Sequence, residues 1–175
     1  GQGTGNGIVV MKNPLKYGLI WLPGTEKITF SLDTGGWADH ESNGTVPVDA
    51  WSHVAGTYDG SKVRIYVNGQ LDAEHDVTGA VATSTGDLTL GARTDPPAES
   101  FFGIIDEVEI YSRALSAEEI AAIYAAGAAG KCKPCFEPPA DMVSWWTGDN
   151  TPDDFLDVND GTLVGGATYA DGKVG

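Results

Sequence analysis

Trp51-Ser-His-Val-Ala-Gly-Thr-Tyr-Asp-Gly-Ser-Lys-Val-Arg-Ile-Tyr-Val-Asn-Gly69 decides the fold class. Val54, Thr57 and Tyr58 lead into Asp59-Gly60, after which Val63, Ile65 and Val67 alternate with Lys62, Arg64 and Tyr66. Alternation with a period of two marks a half-buried strand, and Asn68-Gly69 supplies the positive φ of a type I′ turn. The stretch therefore writes a meander with one buried face.

Outward from this stretch the same reading gives strands near residues 6–12, 17–22, 26–32, 50–58, 62–68, 87–92, 102–112, 142–147 and 161–169. Nine strands predict an all-β antiparallel sandwich. A single short helix near 117–126 opens at Ser116-Ala-Glu-Glu119, a capping box in which hydroxyl and carboxylate satisfy each other's backbone amides. It closes at Gly127, and Ile120, Ile123 and Tyr124 share its packing face. The 175 residues suffice for one substantial core. With 41% hydrophobic and 20% charged residues the chain reads as folded.

The net charge of −15 excludes nucleic acid as a partner, since nothing would neutralise its phosphates. No run approaches the roughly 20 apolar residues of a membrane span. The sequence shows neither an initiator Met nor a signal peptide, so export would be encoded upstream of residue 1. Residues 128–140 have no periodicity and read as a linker. It holds the only cysteines, Cys132 and Cys135, expected to close a small disulfide: two thiolates cannot complete a zinc site, and no βα unit supports thioredoxin-type chemistry.

The meander, together with Phe102-Gly-Ile-Ile-Asp-Glu-Val-Glu-Ile-Tyr-Ser-Arg-Ala-Leu-Ser-Ala-Glu-Glu-Ile-Ala-Ala-Ile-Tyr124, resembles the laminin-G-like, concanavalin A-like jellyroll repeats of bacterial extracellular proteins. The resemblance makes residues 1–127 the main body of one repeat. Asp141-Met-Val-Ser-Trp-Trp-Thr-Gly-Asp149 and Gly161 to Gly175 look like the opening strands of a following repeat. In such jellyrolls first and last strands lie side by side, so Met142 to Thr147 is expected to pair with Ile104 to Tyr111. It does so within the chain after a fold-back of the linker, or on a neighbouring copy as a swapped dimer or a head-to-tail filament. Assembly of the second kind would rest on Met142, Val143, Trp145, Trp146 and Leu163.

Two constellations carry candidate chemistry. Asp153-Asp-Phe-Leu-Asp-Val-Asn-Asp-Gly161 is rich in the hard oxygens that calcium takes, without the spacing of an EF-hand. The family resemblance implies a structural calcium held by Asp106, Asp153, Asp157 and Asn159, although Phe155-Leu156 stand where such repeats usually place small residues. The other reading is an acidic turn built on Asx-type backbone bonds. The second constellation lies in Asp33-Thr-Gly-Gly-Trp-Ala-Asp-His-Glu-Ser-Asn-Gly-Thr45, read as a loop, where Trp37, Asp39 and His40 have the composition of a sugar site. The alternative there is that Trp37 covers a sheet edge. Of Trp145 and Trp146 one should be core, because strand neighbours face opposite sides. Trp21 and Trp51 read as packing residues.

Catalysis is not expected. Glucanases of this fold use Glu-x-Asp-x-Glu on one strand, and Ile105-Asp-Glu-Val-Glu109 has the wrong order, while His40, His53 and His75 lack metal-ligand spacing. The expectation is a non-catalytic module of the extracellular space or cell surface that binds carbohydrate or a surface polymer, with a self-assembling structural subunit as the alternative. Fold alone does not choose between them.

Overall fold

The computed structural model describes residues 6–93, 99–130 and 140–173. The chain divides into two compact units, residues 1–103 and 104–175. The expected linker lies inside the second unit, and Cys132 and Cys135, with the rest of 131–139, lie outside the described residues.

The first unit contains β1 (Gly7–Lys12), β2 (Tyr17–Leu22), β3 (Lys27–Asp33), β4 (Trp37–Glu41), β5 (Val54–Tyr58), β6 (Lys62–Val67), β7 (Gln70–Asp76) and β8 (Leu88–Leu90). They form two antiparallel sheets, in the orders β4-β3-β2-β1-β8 and β5-β6-β7. The turn between β6 and β7 has Asn68 at φ 50° and Gly69 at φ 76°, as the Asn-Gly pair requires. Register puts Tyr17 opposite Leu32, Leu19 opposite Phe30 and Trp21 opposite Ile28, so all six share one face. Ile28 and Leu32 of that face are buried with Val63, Ile65 and Ala73 of the second sheet in one cluster, which makes the pair of sheets a β-sandwich. The sheets approach closely at Gly56, where a Cβ would sit 2.4 Å from the Phe30 ring. A second cluster on the other face of the five-stranded sheet joins Ile8, Met11 and Ile20, with Trp37 packed against it.

Two strands depart from the sequence reading. β4 is a strand where a loop was expected, and β7 follows the hairpin turn unannounced. Both are sheet-edge strands with few apolar residues: Trp-Ala-Asp-His-Glu and Gln-Leu-Asp-Ala-Glu-His-Asp. Edges are kept polar to prevent pairing with other chains, which erases the alternation that signals a strand.

The second unit contains β9 (Val108–Tyr111), α1 (Ala117–Gly130) and β10 (Met142–Trp146). Ser116 and Glu119 exchange both capping-box bonds, at 2.8 and 3.2 Å. The α-helical backbone breaks at Gly127, φ 45° and ψ −141°. Ile120 is buried, whereas Tyr124, expected on the packing face, is 47% exposed. β10 pairs antiparallel with β9 in the same chain, Trp145 opposite Glu109 and Trp146 opposite Val108. The expected strand at 161–169 does not form: the described residues after Trp146 are turns and irregular backbone. Gly165 and Gly166 both have positive φ in the middle of that run, which no extended strand accommodates.

Candidate functional site: the β4 edge

β3 turns into β4 through Asp33, whose carboxylate accepts the Gly35 amide at 3.2 Å and the Lys16 ammonium at 2.6 Å. The Lys16 hydrogen bond, ahead of the backbone amides, holds the Asp33 carboxyl below the usual range, so it stays ionised. Trp37 lies directly across from Asp33, and Asp39 across from Ser31, whose hydroxyl donates to it at 2.6 Å. Trp37 and Asp39 therefore share one face of the strand. Trp37 is half-buried, resting on the Ile8–Met11–Ile20 cluster, and Asp39 is exposed. The turn beside the indole is open: chain neighbours aside, a Cβ at Gly35 or Gly36 would meet no atom within 4 Å.

His40 is the third member of the expected set and points the other way. It sits opposite Phe30, on the face turned toward the second sheet, with its ring 5.2 Å from that of His75 on β7. Burial, then the neighbouring His75, lowers its pKa. The seam between these edge strands is tied by His75 Nε2, 3.0 Å from the Glu41 carbonyl, and by Asp72, which accepts the Asn43 and Gly44 amides. β4 thus separates an outward pair, Trp37 and Asp39, from an inward histidine that belongs to the seam.

The other expected site residues are distributed within the second unit. Asp106 accepts the Lys173 amide at 2.6 Å, and Asp153 accepts the Thr151 hydroxyl at 2.5 Å. Asp157 is exposed with φ 54°. Asn159 donates its backbone amide to Asp154 at 3.1 Å and its side-chain amide to Ser144 at 2.7 Å, while its carbonyl accepts the Trp146 indole at 3.0 Å. Among the described residues no three Asp, Glu, His or Cys side chains are grouped to hold a metal ion. The residue that organises the loop is Asp154. It is 1% exposed, and its carboxylate accepts the amides of Trp145 at 2.8 Å, Leu156 at 3.2 Å and Asn159 at 3.1 Å. The Asx-turn reading of this loop pointed to that chemistry but not to this residue.

Trp145 is 2% exposed and packs on Phe155 with ring centroids 4.6 Å apart, which explains the aromatic where small residues were expected. Trp146 is partly exposed, as are Met142, Val143 (40%) and Leu163 (47%). Trp21 packs in the sandwich core as expected, but Trp51 is 43% exposed. In Ile105-Asp-Glu-Val-Glu109, Glu107 has φ 53° and accepts the Trp145 indole, and Glu109 accepts the Tyr111 hydroxyl at 2.9 Å. Burial, reinforced by Glu109, raises the Tyr111 pKa.

Among curated proteins none matches the chain in sequence. A solved structure described as a "putative carbohydrate binding protein" from Bacteroides ovatus ATCC 8483 superposes with a TM-score of 0.68 at 17% identity. The match covers 89% of this chain and 46% of that one, so the chain spans about half its length. An S-layer domain-containing protein from Clostridium thermocellum ATCC 27405 is 26% identical over 70% of this chain and 64% of that one, with a TM-score of 0.41. The profile of the Laminin_G_3 family, described as the concanavalin A-like lectin/glucanases superfamily, matches residues 2–121, well over half of the chain, and the chain belongs to that family.

Proposed function

We propose that this chain is a non-catalytic, extracellular binding module for carbohydrate or a cell-surface polymer, with the β4 edge as its contact surface. The observation that carries the reading is Trp37. One side of its indole rests on the Ile8–Met11–Ile20 cluster, it shares its face with the exposed Asp39, and the Gly35-Gly36 turn beside it is open. An aromatic fixed by the core and flanked by a carboxylate suits a sugar ring, whose apolar face stacks while its hydroxyls hydrogen-bond. Family membership and the likeness to a structure described as carbohydrate-binding support this reading. The engagement of Glu107 and Glu109 in structural hydrogen bonds supports the absence of glycosidase chemistry.

Retention of the chain on immobilised neutral and acidic polysaccharides tests it, alongside Trp37→Ala. The wild type is expected to be retained by at least one polysaccharide, and Trp37→Ala to lose that retention by about tenfold or more, at roughly 1.4 kcal/mol per decade. No retention on any of them, or equal retention by a folded Trp37→Ala chain, overturns the proposal.

The second reading, self-assembly, is favoured by apolar exposure in the second unit: Val143 at 40%, Val158 at 69%, Leu163 at 47% and Val164 at 66%. Such surface is a common basis for association. Light scattering separates the readings. A monomer mass at every concentration leaves the binding module alone, and a dimer or polymer lost on changing Leu163 and Val164 to Ser makes assembly the function.

A further inference from the structure

Beside the Trp37 turn, the first unit has a shallow groove lined by Pro14, Lys16, Thr83, Ser84 and Thr85. The loop that forms its far wall is pinned to the sheet. Ala82 donates its amide to the Asp33 carbonyl at 2.8 Å, the Ser84 hydroxyl donates to the Asn13 carbonyl, and Lys12 reaches the Gly86 carbonyl. Ser84 is thus spent on the frame. Thr83 and Thr85, two residues apart, are exposed in the lining. Groove and indole are joined through one ion pair: Lys16 lines the groove, its ammonium lies 2.6 Å from the Asp33 carboxylate, and Asp33 is the cross-strand partner of Trp37. The Lys16 charge is already matched there, and the chain as a whole carries −15.

We propose that the ligand site is extended and takes a neutral oligosaccharide, one sugar on Trp37 and the next residues past the Lys16–Asp33 pair into the groove, where the Thr83 and Thr85 hydroxyls hydrogen-bond them. This inference rests on the carbohydrate reading above. A pinned loop offers hydroxyls at little ordering cost, which is what repays a second sugar for its own lost freedom. Acidic glycans are disfavoured because Lys16, the cation that lines the groove, is paired with Asp33 and the overall field is negative.

The test is calorimetry with neutral gluco-, manno- and xylo-oligosaccharides of one to four residues, on the wild type, Thr83→Val/Thr85→Val and Trp37→Ala. Valine keeps the shape of threonine at these exposed positions. The expected result is affinity rising with chain length in the wild type. The double valine variant should lose about tenfold for the tetrasaccharide, as two hydrogen bonds warrant, and keep its monosaccharide affinity. Equal affinity for one and four residues, or a double variant indistinguishable from wild type, overturns the groove while leaving the Trp37 reading intact if Trp37→Ala still abolishes binding. Absence of binding by the wild type to every sugar in both assays overturns both.

Discussion

The two units of this chain are held together by different means. Residues 6–93 build a sandwich whose centre is apolar: Ile28, Leu32, Val63, Ile65 and Ala73 meet between two sheets, each at most 3% exposed. Among its described residues the second unit has one two-stranded sheet and one helix. Beyond Trp146 it is organised by carboxylates that accept backbone amides, Asp154 three times, Asp160 once and Asp106 once. Where alternation supplies an apolar face, burial fixes the chain; where it does not, local hydrogen bonds must give the backbone amides their partners. The difference teaches that carboxylates of the acidic C-terminal loop, Asp154 foremost, can do for the backbone what an apolar face does in the sandwich.

The largest effect that would break this contrast is in the sandwich. Ile65→Ala is expected to cost about 2–5 kcal/mol in urea unfolding, because a fully buried side chain leaves a cavity between the sheets. Asp154→Ala should follow, at about 2–4 kcal/mol, with three buried or part-buried amides losing their acceptor. Hydrogen exchange at Trp145 and Leu156 should rise in that variant with the sandwich amides unchanged. If Phe155→Ala proves much more damaging than Asp154→Ala, the second unit is apolar-driven after all.

Smaller effects sharpen the comparison. Ser116→Ala should cost about 1 kcal/mol through the lost helix cap, read by the same unfolding curves. The Arg113 hydrogen bond, then the Ser116 amide, lower the Glu119 pKa to about 2. A depressed carboxylate stabilises the fold above its unfolded value near 4.5 and loses that contribution as pH falls toward 2, so acid should mimic Glu119→Gln at the cap. His40 acts at higher pH. Its folded pKa is lowered, so the contribution to stability is fully present above the unfolded value of about 6.5 and is lost as pH falls from there through the folded pKa. Melting temperatures measured from pH 8 to 5 should fall less in His40→Gln than in wild type, and parallel curves would remove the seam's role. The smallest effect expected is that of calcium. Melting curves in EDTA and in millimolar calcium should coincide if the loop is held by backbone bonds alone, as the lack of any group of three Asp, Glu, His or Cys among the described residues favours, and a rise in calcium would add a metal to what fastens it.

The sandwich core was legible because Val63, Ile65 and Val67 alternate in plain view and Asn68-Gly69 can hardly do anything but turn. The capping box was legible because its two bonds depend only on residues three apart. β4 was not, since an edge strand of Trp-Ala-Asp-His-Glu has the composition of a loop, and its identity comes from register with β3, a contact invisible in the sequence. That same register divides the expected sugar site, sending His40 away from Trp37 and Asp39. In the acidic loop the residue type was legible and the residue was not. Asp153, Asp154 and Asp157 are equivalent as letters, and only the path of the backbone past Trp145 makes Asp154 the one that is buried.

Gly36 sits next to the indole, in an ordinary backbone region, facing open space. On the carbohydrate reading, a side chain added there would border the bound sugar. The turn is therefore a position at which preference can be retuned at little cost to folding. If the chain holds a sugar on Trp37, a small library at this one residue would be the natural starting point for turning it into a set of reagents with different tastes.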